Sequence, residues 1–244
     1  MVAGLSEPQE KAVPPDCEWR IEKLAWADER AAAAMLARAF AEDPLVRAIC
    51  GPPARRQRER MWWSFRLSLR AHCLSPQPGW VLRDRAGKIG GVVLVSYPGA
   101  RLSAAPDTWF SLYTLWHIGW AAAQRGVEAA RIIARNLPAP PFLYVRTLGV
   151  DPAIQGRGLG SRLLEHALAA PGAPVPAYLE TARPSNLRFY GSHGFQCIGS
   201  FSCIGVPVWR LWRRAESTVK PELQPARSHS TEQSSLHRKD GGSR

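Results

Sequence analysis

Hydrophobic and polar positions along this chain change period several times, and each change marks an element. Glu18–Leu24 reads as an opening strand. Asp28 stands where it can cap an Ala-rich helix running to about Phe40, with Met35, Leu36 and Phe40 on its inner side. Pro44 breaks that helix. Over Arg56–Cys73, Met61, Phe65 and Leu69 recur every four residues, which predicts a helix with an apolar face and arginines on the other. Trp80–Arg83 and Ile89–Tyr97 are apolar runs joined by Asp84-Arg85-Ala86-Gly87-Lys88, a hairpin signal. A long helical region lies between Pro106 and Pro138. There Trp109, Tyr113, Trp116 and Trp120 form one stripe, expected in the core, with the wall of a substrate pocket as the alternative. Phe142–Val150 (strand), Ile154–Ala169 (loop and helix), Ala177–Thr181 (strand), Pro184–His193 (short helix) and a hairpin from Phe195 to about Arg213 complete the pattern. The order β-α-α-β-β-α-β-α-β-α-β-β is that of an α/β chain with a mixed sheet.

Residues 1–17 and 215–244 are rich in Pro, Ser, Glu, Gln and Arg and poor in large apolar groups, so both are expected to be disordered tails. One domain is expected over 18–214. The apolar fraction of 45% suits a globular core. No run reaches the roughly 20 apolar residues of a membrane span, and the first residues lack a secretory pattern. Those readings place the protein in the cytoplasm and predict no membrane partner. The net charge of +12 raises the possibility of nucleic-acid binding, but arginines are spread over the whole chain. Even the densest run, Arg55-Arg56-Gln57-Arg58-Glu59-Arg60, reads as a solvated helix face rather than a phosphate track. Five cysteines without a C-x-x-C pair predict reduced thiols and no metal framework, although Cys197 and Cys203 are candidates to face each other on neighbouring strands.

The segment Val150-Asp-Pro-Ala-Ile-Gln-Gly-Arg-Gly-Leu-Gly-Ser-Arg-Leu-Leu164 joins an apolar strand to a helix through three glycines in five residues. Such a turn suits a phosphate. A triphosphate-binding loop places Lys after its last glycine, whereas Ser161 follows Gly160 here. A dinucleotide fingerprint fits Gly156 and Gly158 but has Ser161 at its third glycine, and no further βαβ units follow. The pattern that fits is Q-x-x-G-x-G, Gln155 to Gly160, whose amides at a helix start favour an anion. The helix that follows buries Leu159, Leu163, Leu164, Ala167 and Leu168 and exposes Arg162 and Glu165.

Downstream stand Tyr178-Leu179-Glu180-Thr181, Asn186-Leu187-Arg188-Phe189-Tyr190 and Gly194-Phe195. Together with the glycine loop they resemble the GNAT family of acyl-CoA-dependent N-acetyltransferases, over about Phe142–Phe195. The spacing of these motifs looks like the branch containing puromycin N-acetyltransferase. Ala39-Phe40-Ala41-Glu42-Asp43-Pro44 is similar to that branch's helix-ending motif. The resemblance implies the GNAT fold, a mixed twisted sheet flanked by helices, with acetyl-CoA as co-substrate and no metal. It implies that the amides of Gln155, Gly156, Arg157, Gly158, Leu159, Gly160 and Ser161 hold the pyrophosphate, with Arg157 and Arg162 as further contacts. It implies that Leu148, Gly149 and Val150 pair with pantetheine and polarise the thioester. Asn186 would bond the cofactor, and Tyr190 would protonate the departing thiolate. Glu180 is the expected base for the acceptor amine, with His117 and His193 as outside candidates.

The resulting expectation is transfer of an acetyl group to a primary amine of a small molecule, by direct attack because no cysteine falls in these motifs. A protein N-terminal or lysine acetyltransferase, and a non-catalytic acyl-CoA-binding protein, are the alternatives. The acceptor, the acyl-chain preference and the oligomeric state have no signature in the sequence.

Overall fold

A computed structural model of the protein describes residues 19–75, 77–97, 108–139, 141–171 and 175–215. Both expected tails and Cys17 lie outside these residues. The elements are β1 (Arg20–Lys23), α1 (Glu29–Ala39), α2 (Pro44–Cys50), α3 (Ala54–Cys73), β2 (Gly79–Arg83), β3 (Ile89–Ser96), α4 (Thr108–Ile118), α5 (Trp120–Asn136), β4 (Leu143–Val150), α6 (Leu159–Ala169), β5 (Ala177–Thr181), α7 (Asn186–Gly191), β6 (Gln196–Cys203) and β7 (Val206–Arg213). The strands form one sheet in the order β1-β2-β3-β4-β5-β7-β6. All described pairs are antiparallel except β4–β5.

The sheet is sandwiched. On one face Leu163, Leu164 and Ala167 of α6 pack on Leu82, Val93, Leu143, Val145 and Leu179. On the other, Met35 and Leu36 of α1 and Leu69 of α3 cover Val81, Val92 and Leu94. The β4–β5 pair is short. It spans only Leu143↔Ala177 and Tyr144↔Tyr178, after which β4 runs on to Val150 with no strand beside it on the β5 side. That divergence opens a slot in the middle of the sheet and leaves β4 backbone groups without sheet partners, which a ligand can satisfy.

Several expectations need correction. Pro44 does more than end a helix: it sits in the first turn of a new one, α2, capped by the Asp43 side chain accepting from Val46 N at 3.0 Å. Asp28 holds the position before α1 but does not cap it. Its carboxylate instead accepts from Ala25 N (3.0 Å) and Arg83 Nη2 (2.7 Å). The arginines of α3 are not all on a solvated face. Arg55, Arg56 and Arg58 are exposed, but Arg66 is buried against Glu29 of α1 at 2.5 Å, with Arg70 adding a bond to the same carboxylate at 2.8 Å. This ion cluster ties α1 to α3. Cys197 and Cys203 lie on one strand, β6, opposite Leu211 and Val206, so they do not face each other.

The region between Pro106 and Pro138 is two helices, not one. Gly119 has φ of 82°, which L side chains rarely adopt, and the chain breaks there. The aromatic stripe is not core. Tyr113, Trp116 and Trp120 are 55%, 84% and 67% exposed, and the Trp109 side chain lies outside the described part. The periodicity was sound, but α4 rests on α3 through the Trp63 ring, which meets Tyr113 at 5.1 Å and stacks on His117 at 4.3 Å. Trp116→Ser and Trp120→Ser should therefore each change stability by no more than about 0.5 kcal/mol in urea unfolding. A loss near 3 kcal/mol, as for a buried Trp, would return the stripe to the core. Among the described residues no helix is long and apolar enough to cross a membrane.

Candidate functional site

The glycine loop begins where β4 ends. Asp151 accepts from Ala153 N at 3.1 Å and so caps a 3-10 turn, Pro152–Ile154. Its other oxygen holds Arg38 of α1 at 2.5 Å, fixing the loop against that helix. Burial pushes this carboxyl up, but the hydrogen bonds from Arg38 and Ala153 and the charges of Arg38 and Lys88 outweigh it, and the pKa ends below its ordinary value. Gln155 Nε2 donates to Val150 O at 2.9 Å, so this side chain closes the turn. Gly156 and Gly158 have φ of 80° and 72°, the left-handed region, and α6 starts at Leu159. The first amides of α6 lack helical acceptors and point out of the helix end together with its dipole. Gly160 is not held by its backbone angles. A Cβ there would meet Phe189 at 3.6 Å and Val150 at 3.7 Å, ordinary contact distances.

These amides open onto a cleft of about 390 Å³ that runs through the slot in the sheet. From the α6 side it is lined by the glycine loop, Asn186, Phe189 and Tyr190, along its middle by Leu148, Gly149 and Val150, and from α1 and α2 by Ala39, Phe40 and Asp43. Of the residues singled out in the sequence for the cofactor, Leu148, Gly149, Val150, Gln155, Gly156, Gly158, Leu159, Gly160, Ser161 and Asn186 are brought together here. Arg157 is exposed and outside the lining. Arg162 donates to Trp19 O at 3.1 Å and thereby anchors the chain entering β1. Asn186, which lines the cleft, donates from Nδ2 to Thr181 Oγ1 at 3.1 Å, and its side-chain oxygen accepts from no described residue.

Tyr190 is held between Phe189 (5.1 Å) and Phe195 (5.9 Å), and its hydroxyl bonds to no described residue. Burial and the negative charge of Asp43 push its pKa well above the ordinary tyrosine value, so it carries a proton at any physiological pH. Sequence reasoning missed Asp43 and Arg183, which line the same cleft. Burial raises the Asp43 carboxyl, and the Val46 and Leu45 amides and the Arg183 charge pull it back in part. The signal for Asp43 was present: an Asp directly before Pro marks a helix start, and that start faces the cleft.

Glu180 is not in the cleft lining. Alternation along β5 puts Leu179 in the α6-side core and Glu180 on the opposite face, beside Tyr144 and Tyr178. Tyr144 Oη donates to Glu180 Oε2 at 2.7 Å, while Glu180 Oε1 is buried and accepts from no described residue. Burial raises the Glu180 pKa, against the hydrogen bond from Tyr144, the nearby Tyr178 hydroxyl and the charge of Arg146. His117 is occupied by its Trp63 stack and by Glu59 at 3.4 Å, and His193 Nδ1 by Phe189 O at 2.8 Å. Neither histidine lines the cleft. Among the described residues no group of three or more His, Cys, Asp or Glu could hold a metal.

Comparison with known proteins fits this architecture. Residues 77–197 match the model of a family described as an acetyltransferase (GNAT) domain. A stretch of 69 residues is 48% identical to the N-alpha-acetyltransferase RimI of Mycobacterium tuberculosis, covering 28% of this chain and 44% of that protein. The chain thus spans less than half the length of the curated relatives it matches. Among solved structures, a "histone acetyltransferase HPA2 and related acetyltransferase" from Corynebacterium glutamicum superposes with a TM-score of 0.59 at 22% identity, over 82% of this chain and 99% of that one. A phosphinothricin acetyltransferase from Sinorhizobium meliloti, in complex with AcCoA, does so at 0.50 and 14% identity, over 86% and 97%. The fold is the GNAT fold, a mixed sheet split between β4 and β5. Residues 77–197 carry a GNAT acetyltransferase domain.

Proposed function

We propose that this chain transfers the acetyl group of acetyl-CoA to a primary amine of a small molecule, by direct attack in a ternary complex. One observation carries the reading. A single cleft joins an anion cradle at the start of α6, the unpaired edge of β4, and a protonated tyrosine hydroxyl. Phosphate, amide-bearing linker and thioester are the three parts such a cleft would serve in sequence. Acetyl-CoA supplies the activated acyl group.

The amides of Gly156 to Ser161 hold the pyrophosphate, and the backbone of Leu148, Gly149 and Val150 pairs with pantetheine and polarises the thioester carbonyl. Asn186 adds a bond through its free carbonyl oxygen. Glu180 takes the proton that the amine loses as nitrogen bonds to the acetyl carbon. Tyr190 delivers a proton to sulfur as the carbon–sulfur bond breaks. None of the described cysteines (Cys50, Cys73, Cys197 and Cys203) lines the cleft, which favours direct transfer over an acetylated enzyme. The cytoplasm remains the expected compartment.

A thiol-release assay with acetyl-CoA against a diverse amine library tests the reading. Release with at least one small amine is expected. Tight cofactor binding with no release from any amine would make the chain a binding protein instead. The RimI match favours a second reading, in which the acceptor is a protein N-terminus. Release with peptides and with no small amine would select it.

The glycine at 160 gives a separate check. Its backbone angles and surroundings tolerate a methyl group, so a loss of CoA affinity on adding one would report a close ligand rather than a distorted loop. Gly160→Ala is expected to change stability by less than about 0.5 kcal/mol and to weaken CoA binding by about tenfold in calorimetry. Unchanged affinity would remove the pyrophosphate from this loop.

A further inference from the structure

Arg146 is the extra residue of a β-bulge. Leu94 pairs with Thr147 and Val95 with Val145, so Arg146 has no partner across the ladder. The bulge shifts the alternation of β4: Leu143 and Val145 before it, and Leu148 and Val150 after it, all pack on the α6-side core. Bulges re-aim side chains. Arg146 lies with Tyr144 and Glu180 on the other face, close enough for its charge to act on both and on His72 of α3. It stands where β4 has already parted from β5.

The surroundings withdraw this guanidinium from water enough to lower its pKa. Other sheltered arginines are paired: Arg66 with Glu29, Arg83 with Asp28, Arg125 with Ile49 O and Arg210 with Asn136 O. Arg146 alone of these has no hydrogen bond or ion pair with any described residue. Tyr144, the nearest hydroxyl in sequence, is committed to Glu180, and Glu180 closes no ion pair with Arg146. The half-buried guanidinium thus has five donors with no protein acceptor, and an incoming anion would satisfy them in place of water.

We propose that Arg146 receives the carboxylate of the acceptor while Glu180 faces its amine, so that the substrate is a zwitterion of the amino-acid class. This deepens the acetyltransferase reading and rests on it. The planar fork of arginine matches a carboxylate with two parallel bonds. A dianionic phosphate fits less well, because Glu180 on the same face would repel the second charge. Two residues of strand, roughly 7 Å, separate Arg146 from Leu148 beside the thioester. A small acceptor and the long arginine side chain together bridge that span.

The experiment is calorimetric titration of the protein saturated with CoA, which permits no transfer. The ligands are amino acids bearing α-, β- or γ-amines and the carboxamide of each. At least one acid should bind about tenfold more tightly than its amide. Arg146→Met should abolish that difference, Arg146→Lys should keep part of it, and neither should alter CoA affinity. Acids no tighter than their amides across the panel would overturn the proposal, and this comparison needs only the wild-type protein. Equal weakening of acid and amide by Arg146→Met would also overturn it. Thiol release on the same panel separates the two readings. Acid-selective binding without release would end the transfer reading and leave Arg146 as the anion contact. Release that ignores both the carboxylate and Arg146→Met would end the Arg146 proposal alone.

Discussion

Tyr190→Phe is expected to lower kcat for acetyl transfer by about 10²-fold, the lower range for loss of a general acid, while the Kd for CoA stays within about twofold. The ring, not the hydroxyl, makes the packing contacts with Phe189 and Phe195, so Phe keeps the cleft wall intact. What disappears is one proton donor at the cleft. Burial and the Asp43 charge hold that proton well beyond the ordinary tyrosine range, so the wild-type rate should show no alkaline decline from this group at neutral pH. The loss should also depend on the leaving group. An acyl donor whose thiol is more acidic needs less protonation, and the gap between Tyr190 and the Phe variant should narrow with it. Steady-state kinetics with two donors of different thiol pKa measures this directly. An unchanged kcat, or an equal rise in Kd, would reassign Tyr190 to packing.

Much of this architecture was legible because local signals and tertiary structure agree. The strand Ala177–Thr181 has the same limits in sequence and structure, and the glycine loop announced both its turn and the helix after it. The errors have a common physical source. Period reveals that a face is apolar but not what covers it, and the Tyr113–Trp116–Trp120 stripe is a regular face left largely open. Charge pattern likewise suggested a solvated arginine face, while Arg66 is buried because Glu29, 37 residues earlier, meets it across two helices. Long-range pairs of that kind carry no local mark. The bulge at Arg146 is of the same type, since it exists only in the register between β3 and β4. Asp43 differs: its N-cap signal was local, and only its nearness to Tyr190 required the fold.

Glu180→Gln is the second large effect, and its direction on rate and on stability should differ. The side chain is the same size and its oxygen still accepts from Tyr144, so the geometry of the cluster survives. The base does not, and kcat/KM at neutral pH should fall by about 10²-fold or more. Burial raises the Glu180 pKa above its ordinary value of 4.5. The wild-type rate should therefore fall as pH drops through that raised value, because the carboxylate is then protonated, and this acid limb should vanish in the Gln variant. The linkage sign follows. A carboxyl whose pKa is higher folded than unfolded contributes stability that is present below the unfolded value and lost as pH rises through the folded one. At neutral pH the ionised Glu180 thus opposes folding, and Glu180→Gln should leave the Tm unchanged or raise it, with the difference from wild type closing in acid. Thermal melts from pH 4 to pH 8, run beside the rate profile, make the comparison. A variant that loses activity and Tm together would show Glu180 to be a structural carboxylate, and a wild-type profile without an acid limb would show that the amine gives its proton to another group.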